Sequence, residues 1–503
     1  MAGNGAINPF LYLPIEISSR ELHAKLLLTY FAVDAGFEVV IGWKRMMNKN
    51  LRHMPPGVMV FKTLTANDGA AMQEARAAGH YVAAIDEEAP GIVATKHQMR
   101  WVTEESVSAS NVIFTVGDDH RTAMLRDYPA FADKFRIVGN PRWDLLRPEL
   151  RGSYDREVAS IRGKYAPFIL INTNFVILNS LRRTAEATTK WFVKTGRLDL
   201  NKREDKIYLD EVFQQERANT DAIRALLHEL PTRFPQHCFI LRPHPMERAE
   251  TWTAILRDTP RTAMIRDGAV VPWIMASDVL VHTNCTTGVE AFALDKAAIS
   301  MQPAQVSLSD VFLANLVNYR TRTVAETLDQ LARVCGGDPL EPIYPSEFAT
   351  TFDRFFAGMR GPFACERIVQ TLQAELGLTL SPKVERPQWQ PRPGYRLETL
   401  TRKHHAQVMP DIDATAIEQI LQGFNRALGA ERRFQVEPCG QLLFHVHGSA
   451  KRAAYAPRVE WSDRVLRFWR NLRRTPTSAI EFSSEDLEKV SQGLSWCFVM
   501  FGK

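Results

Sequence analysis

Short apolar runs alternate with amphipathic stretches over the first 165 residues. Runs rich in Val, Ile, Leu and Phe predict buried strands at residues 10–17, 37–43, 58–63, 80–86, 111–116 and 135–138. The stretches between them repeat apolar residues at helical spacing, as at 20–35, where Gly36 marks the helix end. This alternation predicts a parallel sheet covered by helices on both faces. We therefore predict an α/β domain over residues 1–165.

The alternation starts again after Pro167. Apolar runs predict further strands at 168–172, around Phe239, and at 262–265, 279–281 and 296–301. A charged stretch at 182–210 interrupts this pattern, and we interpret it as a helical excursion or lid. It leads into a long amphipathic helix at 210–230. These elements predict a second α/β domain over residues 166–380.

The remaining residues, 381–503, have a different pattern. Four prolines between 381 and 395 indicate a linker or a surface strap. A helix at 414–428 and a strand at 441–447 then predict a small α/β extension. Residues 464–474 place apolar side chains on one side among five arginines. Such a helix either lies on an anionic membrane face or docks on the protein with its arginine stems packed along the surface.

Polar residues follow the predicted strand at 279–281, in a turn that leads directly into a helix. Unpaired backbone N–H groups of a first helical turn, joined by hydroxyls, can bind a phosphate. The residues in position for this are Thr283, Thr286, Thr287 and Gly288. Glu290, one turn further on, could accept hydrogen bonds from sugar hydroxyls. The alternative is that the threonines only cap the helix and that Glu290 favours its first turn.

A second group of polar residues ends the strand around Phe239. Arg242, His244 and Pro245 follow this strand, and ligands of open α/β sheets bind outside the carboxyl ends of strands. His244 lies between two prolines, which fix the backbone and exclude a position inside a helix. We therefore predict that His244 is functional and shares one phosphate with Thr286 and Thr287. His282 is equally compatible with a structural role and with a ligand contact.

Three consecutive carboxylates, Asp86, Glu87 and Glu88, end the predicted strand at 80–86. Neighbouring carboxylates raise one another's pKa, which suits a general base that deprotonates a hydroxyl. We favour Glu88 as this base, followed by Glu87. The alternative is a solvated acidic turn.

A turn fixed by Gly139 and Pro141 holds Arg142 and Asp144 in set directions. These two side chains serve either a substrate phosphate or an internal ion pair, and the ion pair is the favoured interpretation.

Composition narrows the functional classes. The chain has 503 residues, 45% of them hydrophobic and 24% charged, which is ordinary for a globular protein of two or three domains. A net charge of +5, spread along the chain, argues against nucleic-acid binding. The six cysteines form no CxxC pair, which favours a reducing compartment. No apolar run reaches the length of a membrane span, so we expect a cytoplasmic protein that either stays in solution or contacts the inner membrane face.

Several of these motifs together resemble the bacterial surface carbohydrate biosynthesis proteins. They are Asp86-Glu-Glu, Gly139-Asn-Pro-Arg-Trp-Asp144, Asn172-Thr-Asn-Phe175, Arg242-Pro-His-Pro245 and His282-Thr-Asn-Cys-Thr-Thr-Gly-Val-Glu-Ala291. The resemblance covers residues 10–305 and implies the GT-B architecture, in which two Rossmann-like domains face a cleft. The histidine-proline motif with a downstream hydroxyl cluster is also similar to capsule Kdo transferases and bacterial sialyl- and polysialyltransferases.

The resemblance implies a metal-independent glycosyltransferase. Its acidic loop would supply the base, while His244, Thr286 and Thr287 would bind the donor phosphate, with Asn172 and Asn174 also on the donor side. The expected donor is a nucleotide-sugar, with a CMP-activated acidic sugar favoured, and the acceptor is a glycan or lipid-linked glycan. Neither a metal nor a further cofactor is expected. The alternatives are a CDP-glycerol-type polyol-phosphate transferase and a non-catalytic glycan-assembly protein.

Overall fold

The computed structural model describes residues 10–87, 99–196, 198–338, 354–378, 389–401 and 409–448. Glu88 and the predicted helix at 464–474 lie outside these ranges. Among the described residues, no helix combines the length and the apolar character needed to cross a membrane.

Six parallel strands form the first sheet, in the order β2-β1-β3-β4-β5-β6. They are β1 (Phe10–Ile15), β2 (Glu38–Trp43), β3 (Val58–Phe61), β4 (Tyr81–Ile85), β5 (Val112–Thr115) and β6 (Phe135–Ile137). Nearly every residue of these strands is buried, which explains why they read as continuous apolar runs. The strand order reverses between β1 and β3, so this is the switch point of the sheet.

The helices of the first half either connect these strands or follow β6. They are α1 (Ser18–Asp34), α2 (Lys44–Lys49), α3 (Ala66–Ala77), α4 (Glu104–Ala109), α5 (Asp118–Asp127), α6 (Pro141–Asp144), α7 (Pro148–Arg151) and α8 (Asp155–Tyr165). Helix α1 is buried along most of its length because other helices pack on its outer face. This explains why its sequence is apolar on nearly every side.

The second sheet is also parallel, in the order β12-β11-β10-β7-β8-β9. Its strands are β7 (Phe168–Asn172), β8 (Cys238–Arg242), β9 (Thr262–Met264), β10 (Val279–His282), β11 (Ala298–Met301) and β12 (Tyr319–Thr321). Numbered within the sheet, this is the 3-2-1-4-5-6 order of the Rossmann fold. Its switch point lies between β7 and β10, which pair directly.

The helices of the second half follow the same alternation. They are α9 (Ala185–Lys194), α10 (Arg203–Arg233), α11 (Ala249–Leu256), α12 (Val271–Ala276), α13 (Thr287–Ala293), α14 (Leu313–Val317), α15 (Val324–Cys335) and α16 (Ala364–Leu376). Helix α10 begins seven residues before the predicted 210 and continues through Pro231 to Arg233. The charged excursion is therefore helical, and it consists of α9 and the first turns of α10.

Two strands near the end of the described chain join the first sheet. Strands β13 (Phe434–Gly440) and β14 (Leu443–Gly448) form an antiparallel hairpin, and β14 pairs antiparallel with β2. Helix α17 (Ala414–Leu428) packs on α1, and α16 also contacts α1. Thus part of the region that we predicted as an extension belongs to the first sheet. Its hairpin covers the edge of β2, whose N–H and C=O groups would otherwise be unpaired.

The two α/β units predicted from the sequence are present, each with a parallel sheet between helices. Together they define the GT-B class of fold, two Rossmann-like domains with their strand ends turned toward a shared cleft.

Acid should destabilise the fold through His120, which is buried at the start of α5. Its Nδ1 accepts a hydrogen bond from the Val116 N–H, and burial lowers the pKa of His120 to about 4. Between pH 6.5 and 4 the unfolded chain binds a proton that folded His120 does not, so stability falls as the pH falls. We expect His120→Gln to flatten the dependence of unfolding free energy on pH by about 1.4 kcal/mol per pH unit in this window, measured by urea unfolding. His228→Gln at an exposed position is the control, and an unchanged slope in His120→Gln would contradict the prediction.

Candidate functional site

A cleft of about 630 Å³ opens at the carboxyl ends of the strands of both sheets. Glu16 and Lys62 line it just after β1 and β3, at the first switch point. Asn172 ends β7, and the turn after β10 contributes Thr286, at the second switch point. The crevice therefore connects the two positions at which open α/β sheets bind ligands.

Cationic side chains outnumber acidic ones in the lining of this cleft. Among the described lining residues, seven are cationic and two are acidic: Arg20, Lys62, Arg142, Arg182, Arg183, Arg242 and Arg266, against Glu16 and Glu290. A concave site with such an excess of positive charge concentrates anionic ligands. The pattern fits a ligand with at least two anionic groups.

His244 lies in this positive field with a defined tautomer. The Met246 N–H donates to its Nδ1 at 3.1 Å, which places the ring proton on Nε2. Burial and the nearby Arg20, Arg142, Arg266 and Lys62 hold the pKa of His244 well below its usual value, so the ring is neutral at pH 7. Nε2 of His244 is 3.4 Å from Nη1 of Arg20. Two donors therefore lie side by side, and an anion beside the pair could accept from both.

Glu247, which the sequence analysis missed, fixes the turn that carries His244. Its carboxylate is fully buried and accepts four hydrogen bonds. Oε1 accepts from the Thr173 hydroxyl and the backbone N–H of His244. Oε2 accepts from the Asn179 amide and the Trp252 indole N–H. The sequence feature that could have indicated this role is the position of Glu247, three residues after a histidine that lies between two prolines. The arrangement ties the ends of β7 and β8 to α11.

The turn after β10 brings two of the three predicted hydroxyls to the cleft, those of Thr286 and Thr287. Thr283 is buried, its hydroxyl has no partner among the described residues, and the described lining does not include it. Gly288 packs against the His282 ring, whose Nε2 accepts from Asn318 at 3.0 Å. An added Cβ at Gly288 would lie 2.2 Å from that nitrogen, so only glycine fits. His282 is therefore a structural residue that sets the distance between β10 and α13.

Glu290 is paired across the cleft with Arg142. Its Oε1 accepts from Nε and Nη2 of Arg142, both at 2.8 Å, while its Oε2 is buried without a partner. Arg142 thus makes the internal ion pair that we favoured, and this pair joins α6 of the first domain to α13 of the second. The remaining oxygen of Glu290 is a buried acceptor in the lining.

Asp144, the other charged residue of this motif, points away from the cleft. It accepts from the N–H groups of Ala364 and Cys365 at 2.9 Å, at the start of α16. Burial raises the pKa of Asp144 to about 7 against the opposing effect of these hydrogen bonds. The residue therefore caps a helix and has no place in substrate binding.

The remaining donor-side predictions are Asn172, Asn174 and Arg242, and all three line the cleft. Both side-chain polar atoms of Asn172 are buried without a partner. Arg242, in contrast, donates to the main-chain carbonyls of Asp267 and Gly268 at 3.0 and 2.8 Å. Its contribution is to hold the loop that follows β9 against the cleft.

The acidic loop differs from the expectation. Glu87 forms an ion pair of 2.6 Å with the buried Lys25. Burial acts to raise the pKa of Glu87, but Lys25, Lys62 and Arg20 outweigh it, so the pKa is lowered and not raised by its carboxylate neighbours. Asp86 is buried, and the described lining of the cleft includes neither residue. Glu88 lies outside the described residues.

The start of α1 contributes a group of lining residues that the sequence analysis missed. Glu16, Arg20 and His23 follow β1, and Lys62 bridges Glu16 at 3.1 Å and the buried Glu21 at 2.8 Å. Burial opposes the effect, but Lys62 and Lys44 lower the pKa of Glu16 to about 2. Charged residues just after a first parallel strand were the signal for this group.

Helix α9 forms an aromatic wall of the cleft. Phe192 stacks on Trp101 of the first half at 5.7 Å, and Arg183 lies 4.6 Å from the centre of the Trp191 ring. The excursion therefore covers one side of the site with flat apolar surface and positive charge.

Comparison with known proteins gives structural similarity only. No family model matches the chain, and no curated protein matches it. The UDP-GlcNAc 2-epimerase of Methanocaldococcus jannaschii, in complex with UDP-GlcNAc and UDP, is 12% identical over 73% of this chain and 99% of its own, with a TM-score of 0.46. The wall teichoic acid polymerase TagF with CDPG is 11% identical over 75% and 90%, with a TM-score of 0.45. The UDP-GlcNAc 2-epimerase of Neisseria meningitidis, bound to UDP-GlcNAc, is 14% identical over 73% and 99%, with a TM-score of 0.43.

Replacing Glu247 by glutamine should destabilise the protein. The amide offers one acceptor oxygen where the carboxylate offers two, so its NH₂ group faces two of the four donors. We expect a loss of about 1–3 kcal/mol in unfolding free energy, measured by denaturant titration. Glu250→Gln, at an exposed position three residues on, is the matched control. Equal stability of the two variants would show that Glu247 does not hold the turn.

Proposed function

We propose that the protein is a metal-independent glycosyltransferase of the GT-B type. It would bind a nucleotide-activated sugar in the cleft and transfer the sugar to a hydroxyl of a surface glycan or lipid-linked glycan. The observation that carries this proposal is the pair of donors formed by the neutral His244 ring and Arg20 at the cationic switch-point cleft.

One phosphate group can accept hydrogen bonds from both of these donors. Nε2 of His244 carries a proton, and it lies 3.4 Å from Nη1 of Arg20, so a phosphate oxygen beside the pair is within reach of both N–H groups. The hydroxyls of Thr286 and Thr287 line the same cleft and would donate to the same group. Positive donors arranged in this way stabilise the charge that develops on a departing nucleotide phosphate.

Unpartnered polar atoms in the lining support a ligand that also carries hydroxyl groups. Oε2 of Glu290 and both side-chain polar atoms of Asn172 are buried without a partner, and Thr286 and Thr287 line the same cleft. A buried polar atom without a partner costs about 1–3 kcal/mol, so a ligand that satisfies these atoms recovers that free energy on binding. Sugar or ribose hydroxyls can donate to Glu290 and accept from the threonines. The aromatic wall of α9 offers a flat surface for a sugar ring.

The favoured donor is a CMP-activated acidic sugar, and a CDP-linked polyol is the alternative. Both carry two anionic groups, a phosphate with a carboxylate or two phosphates, and both match the cationic lining. Donor hydrolysis assays with each compound separate them.

The general base is proposed to come from the acidic loop, with Glu88 first. Glu87 is held by Lys25, and its lowered pKa makes it a weak proton acceptor. Asp86 is buried beside it. These two observations argue against Glu87 and Asp86, so Glu88 remains the first candidate, as the sequence indicates.

Substitution of His244 tests the phosphate site. We expect His244→Ala to weaken nucleotide binding roughly tenfold to hundredfold, because it removes a charge-assisted hydrogen bond. Thermal shifts with CMP, CDP, UDP and GDP measure the binding, since a nucleotide that binds the folded state raises its stability. The exposed His228→Ala is the control.

A double-mutant cycle makes this test sharper. If Arg20 and His244 hold the same phosphate, the losses of Arg20→Ala and His244→Ala are not additive. Additive losses, or full binding by both single variants, would remove the basis for the proposed phosphate site.

Amide substitutions test the base. We expect Glu88→Gln to lower turnover by on the order of 10²–10⁴-fold while donor binding stays near normal. Glu87→Gln should instead lower the melting temperature, because it leaves Lys25 buried without its ion-pair partner. If Asp86→Asn, Glu87→Gln and Glu88→Gln all retain turnover within about tenfold, the loop does not supply the base.

A further inference from the structure

Two histidines on β14 lie on one face of the first sheet, away from the residues that line the cleft. His445 and His447 are two positions apart, so their side chains point to the same face, and both are buried. Glu437 of β13 pairs directly with His445. On the other side, β2 pairs Val39 with Val446, and continuing this register places Glu38 opposite His447. Three adjacent strands thus gather two imidazoles and two carboxylates.

Hydrogen bonds fix one nitrogen of each ring. Nε2 of His445 lies 2.6 Å from Oε2 of Glu38, and Nδ1 of His447 lies 3.1 Å from the carbonyl of Gly448. The Glu38 carboxylate and the Gly448 carbonyl can only accept, so they favour a proton on Nε2 of His445 and on Nδ1 of His447. This leaves the lone pairs on Nδ1 of His445 and Nε2 of His447. Metal-binding histidines use the same device, in which the second nitrogen donates to a carboxylate or a backbone carbonyl.

The groups are close enough to share one ion. One ligand atom from each of Glu437, His445 and His447 lies within 4.8 Å of the others, and the two rings are 4.8 Å apart between centroids. Nε2 of His447 is 3.9 Å from Oε1 of Glu437. Zinc bonds of about 2.0–2.2 Å place neighbouring tetrahedral ligand atoms roughly 3.3–3.6 Å apart, so binding would draw the most distant of these atoms together by about 1–1.5 Å.

We propose that His445, His447 and Glu437 bind a divalent transition-metal ion, with Zn²⁺ as the preferred ion, and that Glu38 orients His445 from outside the coordination shell. Imidazole ligands select zinc over magnesium and calcium, which prefer all-oxygen sites. Glu437 is partly exposed, so water can occupy a fourth position. The ion would hold β13 to β14, and the contact between Glu38 and His445 would connect the site to β2. Its role is structural, because the described lining of the cleft contains none of these residues.

Metal titration of the full-length, chelator-treated protein tests this site. We expect about one Zn²⁺ per chain by calorimetry, a higher melting temperature with Zn²⁺, and a Co²⁺ absorption spectrum of low coordination number. His447→Gln and Glu437→Gln should abolish the rise in melting temperature. Glu38→Gln should weaken binding by about 10–100-fold, since it removes only the orienting partner. His228→Gln, on the exposed face of α10, should bind as the unmodified chain does.

Two results would overturn the proposal. One is the absence of Zn²⁺ binding by the unmodified chain at neutral pH. The other is Zn²⁺ binding that persists with unchanged affinity in both His447→Gln and Glu437→Gln, which would place the ion elsewhere. Circular dichroism of each variant establishes that it is folded. Glu437→Gln alters a partly exposed side chain, so it tests the site even if His447→Gln does not fold.

Discussion

Four hydrogen-bond donors converge on the buried carboxylate of Glu247, and the geometry of the cleft depends on this convergence. The carboxylate fixes the main chain at His244, and through Thr173 and Trp252 it also fixes the end of β7 and the start of α11. A buried charge is tolerated only when donors surround it, so the donors and the carboxylate hold one another in place. The direction of the His244 ring is a consequence of this arrangement, and the facing pair with Arg20 follows from it.

The cleft keeps several polar groups buried and unpaired where two switch points meet. The Arg142–Glu290 pair joins the two domains across it and uses only one oxygen of Glu290. Buried polar atoms that serve only stability are almost always hydrogen-bonded to other groups of the protein. The unpaired atoms and the excess of positive charge are the reason why we propose a nucleotide-linked donor, which carries both anionic and hydroxyl groups, and not a simple anion.

The sequence predicted the parts of this structure that depend on local pattern. Most strands of both sheets and the restart after Pro167 are confirmed, while β12 and β13 were not predicted. The polar strand ends at His244 and Thr286 both line one cleft. The sequence did not predict the partner of Glu87, because Lys25 is distant along the chain and the two side chains meet only in the folded protein. For the same reason it did not show that Arg142 would pair with Glu290. Long-range ion pairs depend on packing, which local periodicity does not encode.

The pairing of β14 with β2 has a consequence for the order of folding. Strand β2 (Glu38–Trp43) pairs on one side with β14, which lies some four hundred positions later in the chain. All strands of the second sheet, in contrast, lie between Phe168 and Thr321. Contacts between residues so far apart along the chain form slowly, because a long loop must close before they contribute free energy. During synthesis the second domain can be complete while the first still exposes an unpaired edge. That edge is the surface from which misassembly would begin, and the late hairpin protects it.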